Sequence, residues 1–339
     1  MALWASLTVL LLAGLGLPAQ ASAAEPQSDG GLGIQLLEAP VNRRADPRAQ
    51  RSIVDHLPPG TTIHRKVLVK NESSKRLHIE LYPGAATVDK EAFQIGDGRA
   101  ANELTSWISL DRTELDLPPN GEARVKVTIQ VPWNASAGER YAVVWASVAS
   151  APRPSANVNQ IHRIGVRIYL DIGSGGEPAS DFTIGELVPA RSKHGQPSVA
   201  IKVNNTGGRA LDMSGSVNLS EGPGGTRAGP FEVVKSTTLA PGSSGTVNVL
   251  FPRELANGPW RIEVNLESGM VKRSAVTNIK FPNPGEVGEA SRPLAQLRTL
   301  WAMAGGLLVI GLVMVTGLAF LARRSRRRAA GRPQAPATQ

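Results

Sequence analysis

Short segments in which apolar and polar residues alternate recur through most of this 339-residue chain. Val125, Val127 and Ile129 belong to one such run, and Ile262 and Val264 belong to another. Alternation with a period of two places the apolar side chains on one face of a β-strand. No long window between the two ends of the chain favours the 3.6-residue period of a helix. The pattern therefore predicts an all-β fold.

The alternating runs fall into two groups, which are separated by the glycine-rich residues 173–178. Glycine and proline in such a cluster interrupt strands and are typical of a hinge between domains. The two groups and their flanks cover roughly 270 residues, enough for two domains of ordinary size. We predict two tandem immunoglobulin-like β-sandwich domains, at residues 32–173 and 182–281.

Two short patterns are repeated along the chain and support this duplication. In the first, a leucine, a proline and a glycine come just before an alternating strand. Proline sets the backbone of such a turn, and glycine permits a positive φ. In the second, Asn71 and Asn205 each follow a strand, and we expect each to lie in a turn that caps a hairpin. The copies of the first pattern are Leu57-Pro58-Pro59-Gly60, Leu117-Pro118-Pro119-Asn120-Gly121 and Leu239-Ala240-Pro241-Gly242.

An uncharged, mostly apolar stretch covers residues 300–322. At about 1.5 Å per helical residue it is long enough to cross a hydrocarbon core of roughly 30 Å. Arginines at one end of a span mark its cytoplasmic side, and they also attract anionic lipid. We predict one C-terminal transmembrane α-helix at 300–322, a stalk at 282–299 and a basic cytoplasmic tail at 323–339. The membrane-anchoring arginines of this tail are Arg323, Arg324, Arg326, Arg327 and Arg328.

The beginning of the chain carries a matching export signal. Residues 3–17 are an apolar run, Pro18 interrupts it, and Ala21-Ser22-Ala23 supplies small residues for cleavage. We predict a signal peptide at residues 1–23, cut after Ala23 or Ala24. An uncleaved anchor is the alternative, because the first residues contain no Lys or Arg. The predicted location is the plasma membrane, crossed once, with the N-terminal ectodomain outside.

Charge and cysteine content exclude several classes of function. The formal charge of +9 includes six arginines of the predicted tail, and the remaining 31 basic and 28 acidic residues leave a net charge of +3. A chain this close to neutral is not a nucleic-acid binder by composition. The chain has no cysteine, so it has no disulfide, thiol nucleophile or thiolate metal site.

No catalytic motif is present, so we predict that the protein is not an enzyme and has no cofactor. The sequence lacks a Gly-x-Ser-x-Gly elbow, a His-Glu-x-x-His zinc motif and a Ser-x-x-Lys pair. The five histidines have no metal-ligand spacing, so no metal site is predicted. A local acidic cluster, formed by Asp111, Glu114 and Asp116, leaves open a glycan-cleaving enzyme, which needs two facing carboxyl groups.

Exposed aromatic rings are the candidate ligand contacts, because a ring face packs on the C–H groups of a sugar. Trp145 and Trp260 are in phase with apolar neighbours and are expected in the core. Trp133 follows Pro132 at a strand end and is expected to be exposed. We predict Trp133 and Tyr141 as the candidate contacts to a cell-wall ligand.

Residues 121–148, with the sequence GEARVKVTIQVPWNASAGERYAVVWASV, resemble a known family. They are similar to the closing half of the peptidoglycan-binding domain of WxL-interacting proteins, which are Gram-positive surface proteins. The earlier Leu57-Pro58-Pro59-Gly60 turn and the strand ending at Asn71 are also similar, so the resemblance covers roughly residues 33–173. Where the family has a double glycine, this chain has Tyr141-Ala142-Val143. The region downstream resembles the family's partner-binding domain in the order of its motifs.

The resemblance implies a non-catalytic surface protein that binds peptidoglycan or another cell-wall glycan with its first domain. The second domain would bind a partner, another surface protein, by edge-strand pairing or a loop surface. The alternative is a chaperone-like or assembly subunit of an exported surface complex, acting through a β-sandwich edge. An exposed and unpaired edge strand would favour this alternative.

Overall fold

The computed structural model describes residues 31–149, 160–234 and 237–293. In this part of the chain two β-sandwiches follow one another, and helical structure is limited to one short helix and two 3₁₀ turns. The prediction of an all-β fold is confirmed. The predicted signal peptide, the transmembrane helix at 300–322 and the basic tail lie outside the described residues. Within the described ranges no helix is long and apolar enough to cross a membrane.

The first sandwich consists of two sheets that face each other across one core. One sheet has the strand order β1-β3-β8-β6, and the other has the order β2-β10-β9-β4-β5, with β7 also paired to β4. The helix α1 (Glu103–Ser106) begins at Asn102, whose side chain accepts a hydrogen bond from the Thr105 amide. The strands are β1 (Leu32–Leu36), β2 (Ile53–Leu57), β3 (Thr62–Asn71), β4 (Leu77–Asp89), β5 (Ala92–Ile95), β6 (Ile108–Leu110), β7 (Glu114–Leu117), β8 (Glu122–Gln130), β9 (Gly138–Ala149) and β10 (Ile161–Ile172).

The second sandwich has the same plan. One sheet has the order β11-β12-β17, the other has the order β15-β14-β18-β19, and β13 pairs with β16 beside them. The strands are β11 (Phe182–Arg191), β12 (Pro197–Asn205), β13 (Leu211–Asp212), β14 (Ser214–Ser220), β15 (Ala228–Glu232), β16 (Thr238–Leu239), β17 (Ser244–Leu250), β18 (Gly258–Ser268) and β19 (Val271–Phe281).

Each sandwich buries its own core from the inward-facing alternate positions of its strands. In the first core Val125, Val127 and Ile129 are fully buried, as the period-two pattern predicts. The second core is centred on aromatic rings. Phe251 meets Phe281 edge to face at 5.4 Å between ring centroids. These cores stabilise a fold that has no disulfide.

The described part of the predicted stalk, residues 282–293, packs on the second sandwich. It runs antiparallel to β11, with bridges that pair Leu187 with Ser291 and Ala190 with Val287. The Leu187 amide donates to the Ser291 carbonyl and the Ser291 amide donates back, both at 2.8 Å. The segment therefore covers the outer edge of β11.

The two repeated sequence patterns meet in space. The Asn71 amide nitrogen donates to the carbonyls of Lys75, Leu117 and Pro118 at 2.7–3.0 Å, and its Oδ1 accepts from the Ser73 amide. In this way one asparagine closes its own loop and holds the start of the proline turn that follows β7. The expected positive φ occurs at Asn120 in this copy and not at Gly121.

The second sandwich repeats this arrangement around Asn205. Its amide nitrogen donates to the carbonyls of Arg209, Leu239 and Ala240 at 2.8–3.2 Å, and its Oδ1 accepts from the Gly207 amide. The prediction that both asparagines cap hairpins is wrong. The strand before each asparagine lies in one sheet and the strand after it lies in another, so the asparagine supports a crossing between sheets.

We expect Asn71→Ala and Asn205→Ala each to lower the free energy of unfolding by about 2–4 kcal/mol, because each buried amide donates to three carbonyls that would lose it. Urea unfolding monitored by circular dichroism measures the change. Asn278 is exposed and is the matched control. We expect Asn278→Ala to change the free energy of unfolding by less than about 0.5 kcal/mol. Equal losses of stability at the control and at the two buried positions would contradict the role of Asn71 and Asn205 in supporting the crossings between sheets.

Candidate functional site: the free edge of β10 and the interdomain contact

Strand β10 lies inside its sheet at one end and at the edge of the sheet at the other. All of it pairs antiparallel with β9, from Ile161 to Ile172. On its other side β2 pairs in parallel with β10, but only from Ile168 to Ile172. Among the described residues no strand pairs with residues 161–167 on that side. We call this stretch the free edge of β10.

The free edge carries apolar side chains at inward-facing positions. Val166, Ile168 and Leu170 point into the core, and Ile164 is in phase with them. Ile164 is nevertheless 38% exposed and Ile161 is 60% exposed. A strand with unpaired backbone groups and exposed apolar side chains is a template for pairing with another chain.

The free edge exists because β2 begins late. Residues 46–52 form turns in place of a strand, with the Gln50 amide donating to the Asp46 carbonyl and the Ser52 amide donating to the Arg48 carbonyl. The Asp46 carboxylate also accepts from the Arg48 amide at 2.9 Å, which closes this turn. The chain reaches β10 only at Ile53, so within the described ranges no strand pairs with residues 161–167 on this side.

The two sandwiches are joined by a buried arginine. Arg209 of the second sandwich is 1% exposed, and its Nε donates to the Glu139 carboxylate of β9 at 2.8 Å. Its Nη1 pairs with Glu177 of the linker, and Nη2 lies 3.3 Å from the Asp55 and Tyr169 carbonyls. A buried guanidinium needs partners for its donors, and this one finds them in the first sandwich and in the linker.

Glu139 completes the contact from the first sandwich. Its carboxylate accepts from Arg209 Nε, from the Ala210 amide at 2.6 Å and from the Tyr141 hydroxyl at 2.9 Å. A second link runs in parallel, in which the Tyr169 hydroxyl donates to Asp212 at 2.8 Å. These bonds restrict rotation of one sandwich against the other.

The phenols at this contact stay protonated. Burial, followed by the charge of Glu139, raises the pKa of Tyr141, and burial, followed by the charge of Asp212, raises the pKa of Tyr169. Both hydroxyls are therefore hydrogen-bond donors over the whole physiological pH range. The two rings meet edge to face at 5.9 Å between centroids, and Phe93 packs against both, at 5.2 Å from Tyr169 and 6.2 Å from Tyr141.

A hairpin of the first sandwich makes a further contact. Lys90 and Glu91, in the tight turn between β4 and β5, both have positive φ. The Glu91 carboxylate accepts from the Thr246 amide and its carbonyl accepts from the Thr238 amide, at 2.8 and 2.9 Å. The strained turn thus places one acidic residue against the backbone of the second sandwich.

A cleft of about 800 Å³ opens between the sandwiches beside the free edge. Gly165 and Arg167 of β10 line one side of it, and Arg48, Asp212 and Lys272 are among its charged residues. Arg48 Nε lies 2.9 Å from Asp212, and its guanidinium stacks on the Tyr169 ring at 3.9 Å. The cleft is therefore lined by charges of both signs.

The structure separates the two predicted wall contacts. Trp133 is 86% exposed, and one face of its ring covers Gly60, where a Cβ atom would come within 2.4 Å of the ring. Tyr141 is half-buried in the interdomain contact described above. Trp133 is thus open to a ligand on its other face, whereas the hydroxyl of Tyr141 is engaged by Glu139.

The acidic cluster is spread over separate interactions. The Asp111 carboxylate accepts from the Lys126 amide, and Asp116 lies 3.0 Å from His78 Nδ1. This carboxylate raises the pKa of the exposed His78, mainly through the hydrogen bond. Among the described residues no group of three or more His, Asp or Glu side chains could hold a metal ion.

No protein-family model and no curated protein matches the chain. Solved structures that are similar include the class 5 fimbriae chaperone CfaA, at 13% identity over 74% of this chain and 100% of that one, with a TM-score of 0.35. The E. coli chaperone DraB has 12% identity over 66% and 94%, with a TM-score of 0.37. The Salmonella enterica SafA pilin–SafB chaperone complex has 10% identity over 72% and 96%, with a TM-score of 0.39. With TM-scores below 0.5, these similarities carry no conclusion about this chain.

Sequence patterns did not indicate the free edge or the interdomain contact. Residues 161–170 alternate like any half-buried strand, and only the position of β2 leaves half of β10 unpaired. Arg209 lies in a loop that resembles an ordinary solvent-exposed turn. The one available signal was the asparagine repeat, because Arg209 follows Asn205 in the loop that this repeat closes.

We expect Arg209→Met to lower the free energy of unfolding by about 3–5 kcal/mol, because Glu139 is left buried without its charged partner. Thermal unfolding measures the loss, and small-angle scattering is expected to show a wider spread of interdomain angles. The exposed pair of Arg261 and Glu221, 3.9 Å apart, supplies the control. Arg261→Met is expected to change stability by less than about 1 kcal/mol. An unchanged scattering profile for Arg209→Met would refute the role of this arginine in holding the sandwiches.

Proposed function

We propose that this chain is a non-catalytic cell-envelope protein that binds a partner protein by adding a strand of the partner to the free edge of β10. In this role it acts as a chaperone-like or assembly subunit of an exported surface complex. The observation that carries the proposal is a strand that is paired by β2 along one half and open along the other. A partner strand placed there would continue the line of β2 and complete the sheet.

The side chains of the free edge support strand addition over a loop contact. Backbone hydrogen bonds would give affinity without regard to sequence, and the exposed Ile164 on the inward face and Ile161 on the outer face would each favour an apolar side chain of the partner. Ile164 is in phase with Val166, which is buried in the first core. An apolar side chain of the partner would therefore extend an existing hydrophobic core.

Other sheet edges are less suited to this role. The edge of β11 is covered by residues 282–293. The outer edge of β19 carries exposed charges at Lys272, Arg273 and Lys280, which discourage pairing. Strand β5 offers only four residues, from Ala92 to Ile95. The free edge of β10 combines length with exposed apolar residues.

The interdomain contact supports the same proposal, because it holds the free edge beside a rigid second sandwich. Gly165 and Arg167 of β10 and Arg273 of β19 line the same cleft. A partner strand on β10 would therefore also meet the second sandwich. Such a preorganised surface lowers the entropy cost of binding.

Binding of peptidoglycan or another wall glycan is a second proposal, and it rests on Trp133. Its ring is largely exposed and is held on Gly60, whose φ is +79°. A fixed aromatic ring with one free face is suited to packing on a sugar. In this proposal the chain would tether its partner near the cell wall, and a predicted transmembrane helix would anchor it in the membrane.

To test the first proposal, a photo-crosslinking amino acid is placed at Ile161 of the full chain in intact cells. We expect a crosslink to one envelope protein, because this side chain borders the added strand. Introducing Ile164→Lys into the same chain is expected to reduce the crosslink at least about tenfold, since a charge would enter an apolar contact. Quantitative mass spectrometry of the crosslinked species provides the measurement.

The matched control is Ile95, an exposed isoleucine on the opposite edge strand of the same sheet. A crosslinker at position 95 is expected to yield no such product, and Ile95→Lys is expected to leave the crosslink from position 161 intact. Equal crosslinking from both edges, or a crosslink unaffected by Ile164→Lys, would overturn strand addition at β10.

The second proposal predicts that the full chain is retained on insoluble peptidoglycan and that Trp133→Ala reduces the retained fraction at least about fivefold, because the stacking face is lost. A sedimentation assay measures retention. Trp133→Phe, which keeps an aromatic face, is expected to preserve most of it. Full retention of Trp133→Ala would remove Trp133 from the binding site, and absence of retention in the parent protein would end the wall-binding proposal.

A further inference from the structure

The outer face of the sheet that contains β10 carries arginines stacked on aromatic rings. Tyr82 of β4 and Trp145 of β9 are direct cross-strand neighbours, and both rings are buried. Arg99 covers the Tyr82 ring at 4.1 Å and Arg163 covers the Trp145 ring at 5.3 Å. Both arginine side chains are exposed, so the rings are buried beneath guanidinium groups that face the solvent.

Glycines let the Trp145 ring lie flat on the sheet. A Cβ atom at Gly84 would come within 2.6 Å of its Nε1, and one at Gly165 would come within 2.8 Å of the ring. These two residues lie on the strands on either side of β9. The ring thus spreads over three strands and forms a flat support for Arg163.

One loop contacts Arg163 and also carries Arg99. Arg163 Nη1 donates to the Gly98 carbonyl at 3.0 Å, and Arg99 is the next residue of that loop. Arg99 Nη2 donates to Glu80 at 2.6 Å, in an exposed ion pair. The other N–H groups of both arginines have no hydrogen-bond partner among the described residues. Stacking therefore fixes the orientation of two adjacent guanidinium forks whose remaining donors are unused.

We propose that Arg99 and Arg163 form a binding site for the phosphate groups of a polyanionic polymer. A tetrahedral phosphate presents several acceptor oxygens, so it can accept from two guanidinium groups at once. Glu80, and Glu114 directly opposite it on β7, offset the two positive charges. A single phosphate therefore binds weakly, whereas a polymer presents many phosphates to the site and raises their local concentration. Arg163 belongs to the free edge of β10, but its side chain lies over the Trp145 ring on the face of the sheet, whereas a partner strand would pair with the backbone of β10.

Titration of the full chain with long-chain inorganic polyphosphate tests the site. We expect Arg99→Gln and Arg163→Gln each to weaken binding about tenfold, since each removes charge-assisted hydrogen bonds. Glu80→Gln is expected to tighten binding about threefold, because it removes the competing carboxylate. Arg163→Lys, which keeps the charge but loses the planar fork, is expected to restore only part of the affinity. Isothermal titration calorimetry at low and at physiological salt measures these changes, and thermal unfolding verifies that each variant is folded.

The control for general charge is Arg124→Gln, an exposed arginine on β8 in the opposite sheet, which is expected to leave the affinity unchanged. Poly-L-glutamate, which carries carboxylates at a similar charge density, is expected to bind at least about tenfold more weakly. Equal loss of affinity for Arg124→Gln, equal binding of poly-L-glutamate, or an absence of polyphosphate binding would each overturn the proposal. None of these outcomes bears on crosslinking at the free edge of β10.

Discussion

The arrangement of the two sandwiches depends on the buried pair of Arg209 and Glu139. Both side chains are buried, so each needs the other as its charged partner. Glu139 also accepts hydrogen bonds from the Ala210 amide and the Tyr141 hydroxyl, and Arg209 also pairs with the linker carboxylate of Glu177. Breaking a buried pair leaves an uncompensated charge, which is far more costly than losing an exposed pair. The cleft beside β10 has a defined shape because this contact is present.

The free edge of β10 and the arginine-covered face of the same sheet offer two kinds of surface. The edge presents unpaired backbone groups and the isoleucines Ile161 and Ile164, which are suited to another strand. The face presents Arg99 and Arg163, which are suited to anions. Both surfaces depend on β9, which pairs with β10 and carries Trp145. A single sheet therefore carries both surfaces, and Arg163 of β10 belongs to both of them.

Much of the fold was predictable and little of the site was. Alternation predicted the strand that contains Val125, Val127 and Ile129, because a strand that buries one face has apolar residues at every second position. The asparagine repeat indicated a duplicated layout, but the expected hairpins are crossings between sheets, because a short turn looks alike in both cases. Exposure of Trp133 followed from its place after Pro132. The hydrogen bond from the Tyr141 hydroxyl to Glu139, two residues earlier on the same strand, was not predicted, because alternation does not reveal which polar groups are paired.

The sequence by itself determined the all-β class and the inward positions of most strands, because both follow from a period of two and from the turns that glycine and proline permit. The tertiary structure alone decided which strand stays unpaired and which charges are buried. Residues 46–52 delay β2 and so expose half of β10, and the meeting of the sandwiches buries Arg209. Both depend on contacts between residues far apart in the chain, and such contacts leave no local pattern.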